Sequence, residues 1–244
     1  NDRLFVVGKR FYKHSNIQAM TTFTIRDFFS KKFEDESTNI LLDNAPYFSE
    51  DAVIDYVMQI QKYALKEYIS YLAEHPILDA ILSKDITQLS SIEDCTNNIC
   101  RVLRDKQNPG MSLIEIATAL HADNSYKDNT VALTKYGENQ VKTAAQLGLA
   151  VYRKELWYLS AIGYVFPCVE DELQRKYLAL AQLRDPFYSK VILSLMKRDT
   201  DLKDYMTILS ESTQKRRTSS CLRVLSYFFE QCSIEGVALH NIIR

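Results

Sequence analysis

The chain has 244 residues, 46% of them hydrophobic and 25% charged, which is enough apolar material for a buried core and excludes disorder as the default state. Only 6 Gly and 5 Pro stand against 15 Tyr and 11 Phe, a balance that favours long regular elements over a many-stranded sandwich, so the expected class is mostly α. A net charge of -1 lacks the global basic excess that a polyanion partner usually brings, so any case for nucleic acid has to be local.

Five cysteines, Cys95, Cys100, Cys168, Cys221 and Cys232, form no C-x-x-C and are odd in number, which argues against a disulfide framework or a zinc finger. Reduced thiols in a cytoplasmic protein are the expectation. No apolar run approaches the roughly 18 to 20 residues of a membrane span, and the first twenty residues lack the apolar stretch of an export signal.

The segment from Arg3 to Lys13 is rich in β-formers around Gly8 and reads as a strand, a turn and a second strand. The chain opens without Met, which suggests a fragment with residues preceding Asn1. Thr24 to Phe33 reads as a short helix, and Asn44-Ala-Pro46 as a break. From Ser49, a capping residue followed by Glu50 and Asp51, Val53, Val57, Ile60, Ala64, Tyr68 and Leu72 recur at helical spacing until His75-Pro76. Tyr56, Tyr63, Tyr68 and Tyr71 on this helix could stack on bases, although aromatics at such spacing more often pack in a core or an interface.

A soft boundary falls near Ser90-Ser91. Asp94 to Lys106 reads as a helix ended by Asn108-Pro109-Gly110, and Ser112-Leu-Ile-Glu115 as a capping box that launches a second helix through Leu120. Thr134 to Leu147 makes a third helix, stopped by Gly148. The apolar, aromatic stretch from Leu149 to Phe166 follows, hairpin-like and broken by Arg153-Lys154-Glu155. Three short helices and then a hairpin are the order of a winged helix, with the third helix as reader and the charged triplet as wing. The order then repeats approximately: Glu170 to Leu183, Phe187 to Lys197, a short helix from Asp201 to Leu209, and a longer one from Ser210 through Cys232. Val237 to Ile243 could form a single wing strand.

The predicted architecture is therefore mostly α, with tandem winged-helix-like (helix-turn-helix) units carrying short β-wings. Residues 1–90 form a helical N-terminal region with a short β-hairpin, 91–170 the first unit and 171–244 the second.

The sharpest local feature runs from Leu209 to Phe229. Its first half presents Ser212, Thr213, Lys215, Arg216, Arg217 and Arg223, and its second half is apolar at Leu222, Leu225, Phe228 and Phe229. A helix that buries its later turns and offers hydroxyls and cations at its start has the layout of a recognition helix, in which arginines reach phosphates or guanine edges. A solvated basic face with an ordinary cap is the plain alternative. In the first unit, Lys135, Asn139, Gln140 and Lys142 are the matching donors, and Asn139 and Gln140 have the chemistry to read adenine. Arg153 and Lys154 would serve from the wing.

No cofactor, no metal site and no catalytic residue is predicted. The sequence has no Glu followed two residues later by Lys, as restriction-type nuclease cores require. It also lacks H-E-x-x-H, G-x-x-x-x-G-K-[ST], G-x-S-x-G and G-x-G-x-x-G. His14, His75, His121 and His240 are scattered, and structural roles are expected for them.

The stretch Lys135 to Leu149 with Leu159 to Gly163, and Leu209-Ser-x-Ser-Thr-x-x-Arg-Arg217 with the helix after it, resemble winged-helix domains that accompany restriction-endonuclease-like nucleases and other bacterial defence proteins. The resemblance spans roughly residues 110 to 232. It implies a region that targets double-stranded DNA for a nuclease or effector in a partner or elsewhere in a longer chain. A homodimer is compatible with it, and a membrane is not part of the picture. The competing reading is a helical protein–protein interaction scaffold without DNA binding. A third is the specificity region of a nuclease whose active site precedes Asn1.

Overall fold

The computed structural model describes residues 4–7, 10–13, 65–74, 76–104, 110–160, 162–163, 166–168, 170–197 and 202–234, and these are mostly helical. The expected opening pair is present as β1 (Leu4–Val7) and β2 (Arg10–Lys13), antiparallel with Leu4 opposite Lys13. The helix predicted over 24–33, the cap at Ser49 and the wing strand at 237–243 lie outside the described residues, as do the side chains of the four tyrosines. Helix α1 (Leu65–Glu74) stops ahead of His75-Pro76, as the proline demands.

The elements within residues 94–104 and 110–159 pack against one another. Asp94–Asn98 is a π-helical turn flowing into α2 (Ile99–Arg104), with both flanking residues in right-handed helical geometry. The capping box is formed: Ser112 Oγ accepts from the Glu115 N–H at 3.3 Å, and the Ser112 N–H donates to Glu115 Oε2 at 2.8 Å, which starts α3 (Leu113–Ala119). A short α4 (Asp123–Tyr126) was not expected. The third helix, α5 (Thr130–Gln146), begins four residues before the predicted Thr134 because Asn129 caps it by accepting from the Ala132 N–H at 2.9 Å. Gly148 ends it at φ +77°, the left-handed conformation in which glycine avoids a Cβ penalty.

The hairpin follows as β3 (Ala150–Arg153) and β4 (Leu156–Leu159), antiparallel with Tyr152 opposite Trp157. Met111, just before α3, bridges to Trp157 through two 2.9 Å backbone hydrogen bonds and adds a minimal third strand. Helix α5 crosses α3 at Gly137, where an added Cβ would stand 2.2 Å from the Leu113 carbonyl oxygen.

Beyond the 3-10 turn Phe166–Cys168 come α6 (Asp171–Arg184), α7 (Pro186–Lys197), a second 3-10 turn (Leu202–Met206) and α8 (Glu211–Ile234). Asp185 restarts the chain into α7. Its Oδ1 accepts from the N–H groups of Phe187 and Tyr188 at 2.9 and 3.0 Å, with Pro186 in the first helical position, where no N–H is needed. Among the described residues a single apolar cluster extends from Ile69 to Phe228, so the two expected units share a core. Tyr177, Tyr188, Phe166, Phe187 and Phe228 are its bulkiest fully buried members.

Two outcomes test this packing. Gly137→Ala gains helix propensity of about 1 kcal/mol but pushes α3 from α5, and a net loss of about 1–3 kcal/mol is expected in urea denaturation. Burial pushes the Asp185 carboxyl up to about 6 from its ordinary 3.8, against the opposing pull of its hydrogen bonds. The folded protein thus holds this proton more tightly than the unfolded chain, so the group's contribution is present below about 3.8 and is lost as pH rises through about 6. Asn keeps the cap without titrating. The stability of wild type relative to Asp185→Asn is therefore expected to fall between about pH 4 and 7 and to level off above that range.

Candidate nucleic-acid interface

The exposed side of α5, the start of α3 and the hairpin enclose a groove of about 610 Å³. Its walls are Leu113 and Ile114 from α3, Glu138 and Lys142 from α5, and Tyr152 and Trp157 from the hairpin. The two rings lie 5.0 Å apart across the strands, with Tyr152 60% exposed and Trp157 only 8%. Register explains the pairing: a two-residue turn at Lys154-Glu155, both in the left-handed region at φ 47° and 65°, sets residue 152 opposite 157. A second concavity of about 400 Å³ on the other side of Tyr152, Trp157 and Lys142 is bordered by Lys84.

Charge on α5 is paired. Lys135 Nζ lies 2.6 Å from Glu138 Oε2, and Lys142 reaches the other oxygen of the same carboxylate. The hydrogen bond from Lys135, then that from Lys142, holds Glu138 below the usual carboxylate range. The lysines are 64% and 52% exposed, so both remain open to solvent. Lys154 is exposed at the turn, and Asn139 is half-buried. The Arg153 backbone closes β3, and its side chain lies outside the described set.

Gln140 corrects the expectation placed on it. It is fully buried and hydrogen-bonded to Ser90, facing the interior where no base edge can reach. Neighbouring Tyr136 bonds Asp94, and burial, then this bond, push its hydroxyl up to about 12.

The head of α8 divides in the same way. Ser212, Lys215 and Arg216 are exposed, and Thr213 is half-buried, accepting from Ser210 Oγ at 2.9 Å. Glu211 in the first turn places an anion beside them. Arg217 instead donates to the Ser83 carbonyl at 2.8 Å and to that of Ile86, while Arg223 donates to Ser90 at 2.7 Å. Both arginines are engaged with backbone carbonyls, Arg217 half-buried and Arg223 exposed. Burial, then Arg216, lowers the proton affinity of Arg217 from its ordinary value.

Sequence reasoning missed the aromatic pair and the exposed apolar side chains Ile114 on α3 and Val131 in the first turn of α5. The signal for Tyr152 and Trp157 was present in the alternation on either side of Lys154-Glu155. Among the described residues, no group of three or more His, Cys, Asp or Glu could hold a metal ion, and no helix is long and apolar enough to cross a membrane. Comparison with known proteins finds no match to this chain among family models, curated proteins or solved structures.

The division within the basic cluster is open to a direct check. Arg217→Ala strands two carbonyls and is expected to cost about 1–3 kcal/mol in denaturant unfolding, while the exposed Arg216→Ala should leave stability within about 0.5 kcal/mol of wild type.

Proposed function

We propose that the chain binds double-stranded DNA, with α5 and the β3–β4 hairpin against the duplex and the head of α8 as a second contact. The observation that carries this reading is the connectivity of residues 94–159. Helix α2, the bridged Met111, helices α3, α4 and α5 and the β3–β4 hairpin follow in that order, and Met111 pairs with the hairpin's last strand. With the four-residue α4 set aside, this order is like that of a winged helix, whose last helix before the wing enters the major groove, and it supports that reading. Lys135 and Lys142 supply phosphate contacts, Asn139 offers a base-reading amide, and Lys154 reaches the backbone from the wing. Lys215 and Arg216, with Ser212 and Thr213, form the second contact. Engaging both contacts at once raises affinity through effective concentration. The resemblance of residues 135–149, 159–163 and 209–217 to winged helices of bacterial restriction and defence proteins supports a targeting role for a nuclease or effector.

A second reading, docking of a protein partner or a second copy, is favoured by the exposed apolar side chains Ile114 and Tyr152 of the groove, with Val131 exposed near the start of α5, and by the pairing of both α5 lysines with Glu138. Fluorescence anisotropy with labelled duplex at about 50 and 200 mM salt separates the two. For DNA binding, affinity falls steeply at the higher salt, and Lys135→Ala with Lys142→Ala, or Lys215→Ala with Arg216→Ala, weakens binding and flattens the salt slope. No binding at either salt, together with a stable dimer in light scattering, overturns the first reading in favour of the second.

A further inference from the structure

Cys168 ends the 3-10 turn that follows the hairpin and is exposed, whereas Cys95, Cys100 and Cys221 are buried. Arg104 donates from Nη1 to Cys168 Sγ. Cys100 lies four residues before Arg104 in α2, so the two side chains leave one face of the helix, and α2 packs against the 166–168 turn. The sulfur of Cys100 therefore sits on the side of α2 that the Cys168 turn covers.

We propose that Cys168 is a peroxide-reactive thiol and that Cys100 resolves its oxidised form into an intramolecular disulfide. An accessible sulfur with a guanidinium hydrogen bond is the setting in which thiols react with peroxide, while a fully buried thiol is shielded from peroxide in solution and reacts only with a sulfur packed against it. Cys100 is such a buried thiol, its proton held tightly by burial and then by the nearby Cys168. Hydrogen peroxide thus attacks only one of the two. In the first step the Cys168 sulfur displaces hydroxide from the peroxide O–O bond, giving a sulfenic acid and, with the thiol proton, one water. In the second, the Cys100 sulfur attacks the Cys168 sulfur, the S–O bond breaks, and the departing hydroxyl takes the Cys100 proton as a second water. Two thiols are oxidised by two electrons, and one peroxide becomes two waters. The new bond ties the exit of the hairpin to α2 and closes a covalent loop from residue 100 to residue 168. The inference is independent of DNA binding.

The test treats the purified 244-residue chain with hydrogen peroxide, blocks residual thiols with N-ethylmaleimide and maps peptides by mass spectrometry without reduction. Free thiols are expected to fall from the five of the sequence by two, with the mass lowered by two hydrogens and a peptide linking Cys100 to Cys168. Cys168→Ser should keep all its remaining thiols at the same dose. Cys100→Ser should stop at a sulfenic acid on Cys168 that dimedone traps, and Arg104→Gln should slow disulfide formation several-fold. Survival of all thiols in wild type, or linkage of Cys168 to a different cysteine or a second chain, overturns the proposal. The linked peptide and Cys168→Ser decide the matter even if loss of the buried Cys100 impairs folding.

Discussion

A partly buried stretch of turn and irregular backbone must find partners for its N–H and carbonyl groups, and residues 83–90 meet that demand from two sides at once. On one side Arg217 bonds the carbonyls of Ser83 and Ile86, Ser220 both accepts from and donates to the Leu89 backbone, and Arg223 bonds the Ser90 carbonyl. On the other, Thr87 donates to Gln146 at 2.8 Å and accepts from Thr143 at 3.0 Å, and Ser90 meets Gln140. Without this strap, α5 and α8 would each carry a row of unpaired polar groups on a buried face, at a cost of about 1–3 kcal/mol for each.

The strap also determines which cations are available to a ligand. Of the cationic side chains on α8, Arg217 and Arg223 donate to its carbonyls, Arg223 while remaining exposed, and Lys215 and Arg216 are open to solvent. On α5 the same rule operates through helical spacing: Tyr136, Gln140 and Thr143 turn toward Asp94, Ser90 and Thr87, so Lys135 and Lys142 are directed to solvent on the groove side. A near-neutral chain can in this way present two small basic surfaces, each modest alone. Glu138 and Glu211 temper both.

Gln146 extends the network to the second half of the fold, donating to Asp185 Oδ2 at 3.2 Å while Asp185 caps α7. A buried carboxyl that joins the end of one helix to the start of another couples their positions, and the shared apolar cluster makes that coupling rigid. The pair of cysteines at the α2–turn contact lies on another seam, where the hairpin gives way to α6.

Local signals in the sequence were sufficient for much of the element order. The Ser112–Glu115 capping box, Gly148, the stop ahead of Pro76, the restart at Asp185-Pro186 and the opening strand pair all depend on residues within a few positions of one another, so their chemistry is written in the chain. The start of α5 at Thr130 was missed because Asn129 is an ordinary loop residue until it caps, and the π-helical turn at 94–98 has no comparable local mark. Which arginine faces a ligand, whether Gln140 is open or buried, and how a third strand residue meets Trp157 depend on partners that stand far off in sequence. Those were decided only when the chain folded, because burial and hydrogen-bond partnership are properties of neighbours in space.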